Sequence, residues 1–536
     1  MDEQVKIEGF APWQNSGAYN TYYTYQRSGR QTFYAMINPR YFGFVNRSVR
    51  NWLAWYDGYV PYFHRPYNGI FSTHLAQALV NRISDKVVGG RLMFKNAGEE
   101  THKKGVNPSL KYVSEWAKDT NFNAIVRQAI TYACAGGTAL LKANKDSKGL
   151  WCEALRFDGF IPTVDFRGNV TKVICYLQQY ADLRQGHGYE NYYLIEERYF
   201  TDYETHKNGY TVVLKNRPVV KYSIKRAKGV VGEAEDYSNV AFSNVDFKTL
   251  PKAVRNSILD GYGAYRFDTE ILLPFKDWLG VELVKWTDYV SNIPQLPFGE
   301  SLLAPLQGYL QTYDYYYSAF ATDMYTGRAR VLVPSYMQPK KKQTNYNDGL
   351  DTYLYTQVPS PNPEKGQPTP LQFNLRATEW ATIRDTIIQN IAVNIGVNIS
   401  TLAGFMTDNN ARTAREVSTE ENETAGYVNT KREILEKPFN RFIKRLLRFN
   451  GYEDDVVLRW SAAGLTNRQS LVEFVATALG ANAMSTEKAV QMLNYDDDET
   501  QVDEELQKVL KQKETQPFGD FNEPMGDEPF GLGDEH

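Results

Sequence analysis

A chain of 536 residues is long enough for a large core and for two or more domains. Its net charge of -3 and pI near 6.2 exclude a protein that grips nucleic acid by bulk attraction, though not one that lets nucleic acid pass. No apolar run reaches membrane-span length, Met1-Asp2-Glu3-Gln4 opens no signal peptide, and Cys134, Cys152 and Cys175 fit neither a zinc spacing nor a disulfide framework, so a soluble protein with free thiols, made in a reducing cytoplasm, is expected.

Residues 1–31 are rich in Gly, Asn and Tyr (Tyr19, Tyr22, Tyr23, Tyr25) without a sustained period, which predicts an arm ordered only against something else. Four helices follow. The first begins near Pro39, carries Phe42, Val45, Val49, Trp52, Leu53 and Tyr56, and stops at Gly58. The second runs from Ser72, its expected N-cap, through Leu75, Leu79, Ile83 and Val87 to Gly89-Gly90. The third covers Asn107–Lys118, and the fourth, Asn121–Cys134, is broken by Gly136-Gly137. The apolar period then shortens to two. Thr138–Lys142, Trp151–Leu155, Val170–Tyr176, Tyr192–Glu196 and Tyr210–Leu214 read as strands, an antiparallel meander on the helices and hence an α+β body. Ser223–Lys276 carries little legible pattern, and Lys276-Asp277-Trp278 and Pro294–Gly299 read as loops that close the body.

A helix from Ser301 to about Thr326 carries Leu306, Leu310, Tyr313, Tyr317, Phe320 and Met324. Arg328–Pro334 is strand-like and opens a small insert with Lys340-Lys341-Lys342 and a Pro-rich turn, Pro359–Pro370. The next helix, Ala377–Val397, sets Trp380, Ile383, Ile387, Ile391 and Ile395 at steps of three or four, an apolar stripe that needs a partner. It should stop at Gly396-Val397-Asn398, before an irregular loop, Ile399–Asn410. From Ala411 to Gly451 the strongest breaker is Pro438, so about 40 residues predict a rod of about 60 Å, bent at that proline. Arg415–Glu433 is polar (Glu416, Glu420, Glu421, Glu423, Arg432), while Leu435, Phe439, Phe442, Leu446 and Phe449 form a buried seam. Val456–Trp460 is a strand, and Asn467–Leu479, Ser485–Leu493 and Asp498–Lys513 are short helices. Residues 515–536 have the Gly, Pro and acidic composition of a disordered tail.

Tyr495-Asp496-Asp497-Asp498 has the composition of polymerase acids, which sit on a hairpin and need a second Asp on a neighbouring strand to hold two metals. Here the string joins two helices, where Asp498 is a natural N-cap and Glu499 complements the helix dipole. The six histidines show no metal-ligand spacing, the Gly pairs lack the Lys-Ser/Thr or third Gly of a phosphate loop, and no Gly-x-Ser-x-Gly or Cys/His pair presents a nucleophile. No catalytic residue, metal or cofactor is expected. Lys340–Lys342 reads first as a solvated loop tip and second as a docking or DNA-facing patch.

Two long helices bracketing a small module, then a loop and a very long helix, resemble the portal protein family of tailed bacteriophages. Gly299-Glu300-Ser301 running into Tyr313-Asp314 is similar to the start of that family's first stem helix. Arg328–Leu375 resembles its clip, Ala377–Val397 its second stem helix, Asn394–Ser400 the approach to its tunnel loop, and Thr413–Val417 the start of its long helix. The resemblance covers nearly the whole chain, is strongest from Gly299 to Lys513, and does not extend to the acidic tail. It implies an α+β portal fold: a wing at 1–300, stem helices at 301–327 and 376–397 flanking a small α/β clip at 328–375, a tunnel loop at 398–410, one long kinked wing helix with a wing strand at 411–464, a helical crown at 465–514, and a tail at 515–536. It also implies a ring of twelve copies at one capsid vertex of the virion, through which double-stranded DNA is packaged and ejected, with no membrane involved. Asn398, Ser400, Thr401, Thr407, Asp408, Asn409 and Asn410 would meet DNA. Arg328, Arg330, Lys340, Lys341 and Lys342 would meet the terminase large subunit and later the head-tail adaptor proteins, with major capsid and scaffolding proteins as further partners. Two alternatives remain: another ring-forming virion protein such as a connector, disfavoured by length, and a metal-dependent nucleic-acid enzyme, which would require Asp496–Asp498.

Overall fold

The computed structural model describes residues 44–58, 72–89, 92–96, 107–145, 149–165, 168–182, 190–207, 210–228, 241–262, 266–290, 296–326, 330–334, 355–358, 369–371, 377–406, 414–452, 456–460, 468–480, 485–493, 505–509 and 511. The four expected N-terminal helices form where apolar residues recur at helical spacing. A π-helical turn, Val45–Val49, runs into α1 (Arg50–Tyr56), followed by α2 (Leu75–Val88), α3 (Pro108–Asp119) and α4 (Phe122–Gly136). Their caps are partly unexpected. Ser72 does not cap α2: His74 occupies that position at φ 57°, and the Ser72 hydroxyl accepts from its N–H at 3.3 Å. Asn107 caps α3 by accepting from the Ser109 N–H at 2.8 Å, with Pro108 at the first helical position.

The strands are β1 (Leu92–Asn96), β2 (Thr138–Lys145), β3 (Leu150–Arg156), β4 (Phe160–Val164), β5 (Val170–Asp182), β6 (Glu190–Lys207), β7 (Tyr210–Lys228), β8 (Ala241–Asn244), β9 (Glu270–Leu272) and β10 (Val281–Lys285). They do not make the single meander expected. β10-β2-β3 is one antiparallel sheet, and β4-β5-β6-β7-β8, with β9 on β7, is another. The break falls at a buried 3-10 turn, Phe157–Gly159, where Phe157 stacks on Phe160 at 5.2 Å and Arg156 pairs with Asp57 and Asp158. The poorly patterned region supplies the end of β7, then β8, α5 (Lys252–Tyr262) and β9; α5 buries Val254 and Ile258 against Leu194 and Ile224 of the larger sheet. Lys276–Trp278 and the described part of the second expected loop, 296–299, lie outside helices and strands as expected, and each sends one aromatic ring into the core, Trp278 and Phe298, on either side of β10 in the sequence.

The C-terminal half contains α6 (Gln307–Thr326), β11 (Arg330–Pro334), β12 (Tyr355–Val358), β13 (Thr369–Leu371), α7 (Ala377–Ile395), α8 (Ala414–Phe449), β14 (Val456–Trp460), α9 (Arg468–Gly480) and α10 (Thr486–Leu493). At 36 residues α8 is about 54 Å long and continues through Pro438. Its seam is as expected: Leu435, Phe439, Phe442 and Leu446 are fully buried, and Phe442 meets Phe122 of α4 at 6.2 Å and Trp278 at 5.2 Å. β14 pairs with β1, so two segments from opposite ends of the sequence form one ribbon beside α8. Among the described residues no helix is long and apolar enough to cross a membrane, and all three cysteines are buried free thiols.

A buried ion cluster bolts the two sheets together. Lys142 on β2 donates to Glu196 on β6 at 2.9 Å, Arg198 holds the other Glu196 oxygen at 2.5 Å, and Arg198 also donates to the Ala143 carbonyl at 2.7 Å. Burial alone would raise the Glu196 pKa, but Arg198 and Lys142 overcome it and hold the carboxyl at about 2. Glu196→Gln takes the carboxylate from buried Arg198 and leaves buried Lys142 with Glu153 alone, and should cost about 3–5 kcal/mol in urea unfolding at pH 7. Because the folded-state pKa lies below the ordinary 4.5, the carboxylate's contribution is complete above that pH and fades toward pH 2. The deficit of the variant should therefore close over the same acid range.

Candidate functional site

The site is the helix pair α6/α7 with the segment that joins it to α8. α6 leaves the body at a close backbone contact. Gly137, at φ +81°, ends α4, and a Cβ on it would lie 2.4 Å from the Gly299 carbonyl oxygen; one on Gly299 would lie 2.5 Å from that of Gly137. The Ser301 hydroxyl donates toward the Cys134 and Ala135 carbonyls at 3.0 and 2.7 Å, and the Leu302 N–H reaches Cys134 at 3.0 Å, which satisfies the open C-terminal carbonyls of α4. The Gly-x-Ser element thus fastens the start of the helix pair to the end of α4. Further along α6, buried Asp314 accepts from the N–H and hydroxyl of Thr73 at 2.9 and 2.5 Å.

α7 packs on α6 through the expected stripe. Ile387, Ile388, Ile391 and Ile395 are buried, and Trp380 meets Tyr316 at 5.8 Å and Phe320 at 5.6 Å. The two helices bracket a sheet in which β11 pairs with β12 in parallel and with β13 antiparallel. Parallel strands need a crossover, which lies in 335–354, outside the described residues along with Lys340, Lys341 and Lys342. Arg330 opens β11, its side chain outside what is described, and Arg328 also lies outside.

The stop at Gly396 is as expected and complete. Gly396 has φ +83°, its N–H reaches the Val393 carbonyl at 3.2 Å, and the Val397 N–H reaches Ala392 at 3.1 Å, the two bonds of a Schellman motif. The irregular loop expected from Ile399 is instead a 3-10 helix, Ile399–Phe405, tucked against the body. Leu402 is fully buried and Thr401 is 7 % exposed. Thr424 of α8 organises this turn: its hydroxyl accepts from the Asn398 N–H at 3.2 Å and shares a 2.9 Å hydrogen bond with the Thr401 hydroxyl. Arg82 of α2 donates to the Thr401 carbonyl at 2.5 Å and lies over the Phe405 ring at 5.7 Å. Thr401 therefore belongs to the interior of this chain, not to an open loop, and Asn398 is half-buried beside it. The Ser400 side chain and all of Thr407, Asp408, Asn409 and Asn410 lie outside the described residues.

Sequence reasoning missed Arg82 and Thr424. Arg82 flanks the apolar stripe of α2 and Thr424 sits within a polar run, so neither breaks a pattern. The polar half of α8 also holds Lys431, which donates to the Trp286 carbonyl at 3.3 Å, and Arg432, which donates to Val87 at the C-terminal end of α2 at 2.8 Å. A cation at that helix end offsets its dipole. Asp496, Asp497 and Asp498 lie outside the described residues, and among the described ones no group of three or more His, Cys, Asp or Glu could hold a metal.

With this geometry in place, the comparisons with known proteins are decisive on one point. Residues 71–517 match the family described as phage portal protein, SPP1 Gp6-like. The chain belongs to that portal family. It is accordingly a structural component of tailed-phage particles and not an enzyme, and its mixed α+β architecture is a portal-type one. Among solved structures, a chain from the neck of an empty GTA particle computed with C6 symmetry is 9 % identical with a TM-score of 0.40, over 78 % of this chain and 89 % of that one. No curated protein sequence matches.

Thr424→Val removes the acceptor of the Asn398 N–H and the partner of the Thr401 hydroxyl, at an expected cost of about 1–3 kcal/mol in urea unfolding. Thr401→Val on that background should cost less than it does alone, because the two hydroxyls act as a unit.

Proposed function

We propose that this portal-family chain assembles as a closed ring, of twelve copies by the family resemblance, and that the ring is the channel for double-stranded DNA during packaging and ejection. The observation that carries this reading is the continuous arrangement of α6, the three-stranded sheet, α7, the tucked turn and α8, all inside the residues matched to the family. In this reading 1–300 and 411–464 are the wing, α6 and α7 the stem, 328–375 the clip, 398–410 the tunnel loop and 465–514 the crown. The clip, with Arg328, Arg330 and Lys340–Lys342, meets the terminase large subunit and then the head-tail adaptors, major capsid and scaffolding proteins are further partners, and the protein sits at one capsid vertex.

The tucked turn narrows the DNA-facing assignment. Thr401 is bonded within its own chain, which leaves Thr407, Asp408, Asn409 and Asn410 as the residues that reach the channel, with Asn398 and Ser400 at its root. An acidic-to-neutral lining suits sliding, because each Lys or Arg on a phosphate adds salt-dependent affinity that would slow passage.

Negative-stain images of the purified full chain should show rings with a central hole; a persistent monomer in the presence of its virion partners would overturn the proposal. Asp408→Lys combined with Asn409→Lys and Asn410→Lys should leave the rings intact and retard DNA translocation, with the delay relieved by salt. Unchanged translocation would move the DNA contact elsewhere.

A further inference from the structure

The outward face of the C-terminal half of α8 is basic. Opposite the buried seam of Leu435, Phe439, Phe442 and Leu446, the residues Lys437, Arg441, Lys444 and Arg448 fall within about 60° of helix circumference and about 16 Å of its length. Lys437, Arg441 and Arg448 are exposed and Lys444 is half-buried. Buried Glu282 of β10 pairs with both Arg441 and Arg445, which leaves that trio with a net positive charge. Lys285 of β10 lies close by: burial lowers its pKa, Asp288 opposes the shift and Arg441 adds to it. Glu433 stands one turn before Lys437, at the edge of the face.

Such a stripe, left bare, would hold DNA rather than pass it, because each cation set on a phosphate adds salt-dependent affinity. The opposite charge is gathered in one place. Residues 515–536, which lie outside the described residues and almost wholly beyond those matched to the family, carry Asp520, Glu523, Asp527, Glu528, Asp534 and Glu535 and no Lys or Arg. Removing these six charges turns the chain's -3 into +3, so this segment decides the sign of the net charge. Phe518, Phe521 and Phe530 lie among the acids and suit the faces of Arg guanidinium groups.

We propose that residues 515–536 dock on the Lys437–Arg448 face of α8 in the same chain and keep that face from other polyanions until they are displaced. The assignment goes beyond the ring reading and does not depend on it. An extended segment of this length spans about 70 Å, several times the length of the stripe, so its acids can reach all four cations. Each exposed pair is weak, but attachment to the same chain supplies a local concentration of about a millimolar, and several such pairs then suffice.

The test uses the full chain and carbodiimide, which joins a carboxylate to a lysine amine only where the two touch. Acids of 520–535 should couple to Lys437 and Lys444 by tandem mass spectrometry, within one chain when isotopically light and heavy protein are mixed, and coupling should fade in about 0.5 M salt, where charges are screened beyond about 4 Å. In a second arm, the full chain carrying Asp520→Asn, Glu523→Gln, Asp527→Asn, Glu528→Gln, Asp534→Asn and Glu535→Gln should bind a short fluorescent DNA duplex about tenfold tighter than wild type at low salt. Adding Lys437→Gln and Arg448→Gln should remove that gain, with folding checked by circular dichroism and thermal midpoint. Acids that couple elsewhere, not at all or only between chains overturn the docking. So does a DNA affinity that the amide substitutions leave unchanged, or a gain that survives the loss of Lys437 and Arg448.

Discussion

The placement of the helix pair depends on one backbone contact, Gly137 against Gly299. No side chain larger than hydrogen fits at either position, since each Cβ would fall about 2.5 Å or less from the other's carbonyl oxygen. That closeness lets Ser301 and Leu302 close the end of α4, and it leaves the chain entering α6 directly beside the buried end of that helix. The same strand that leaves Gly137, β2, is the centre of the three-stranded sheet and carries Lys142 into the ion cluster with Glu196 and Arg198. One contact therefore sets the origin of the helix pair relative to both sheets.

The return path is fixed by different means. α7 comes back along α6 by apolar packing, stops in a Schellman turn, and hands the chain to a 3-10 helix held by Arg82 of α2 and Thr424 of α8. α8 is itself held by its aromatic seam on α4, by Lys431 and Arg432 bonding to carbonyls of the body, and by Arg441 and Arg445 pairing with Glu282 of β10. A force on the segment after Phe405 thus passes into α2 and α8 before it reaches the sheets. A turn so tied moves with the body.

Much of the helical organisation was legible because it rests on local periodicity. The stripe of α7, the seam of α8 and the glycine stops at Gly137, Gly396 and Gly451 depend on residues three or four apart or on one backbone angle, and sequence carries both. What pairs across long separations was not legible. β1 gave no strand signal until β14 supplied its partner, the two-sheet split depends on a corner at Arg156, and Trp278 and Phe298 are core only because β10 inserts beside β2. The candidate site divides in the same way. The loop's position followed from the helices around it, but the burial of Thr401 followed from Thr424, a residue with nothing in its neighbourhood to mark it.

Charge is distributed along the chain in a way that matches these roles. The body gathers ion pairs into groups, Lys142 with Glu153, Glu196 and Arg198, Arg156 with Asp57 and Asp158, and buried Glu282 with exposed Arg441 and half-buried Arg445, each joining two elements that the chain visits far apart. Such groups destabilise when broken and so specify one arrangement of sheets and helices. The helix pair has almost none of this: α6 holds no Lys or Arg, and the one arginine of α7, Arg384, is bonded to its neighbour Asp385. A surface so poor in charge has little to lose when water leaves it and offers no grip to a polyanion.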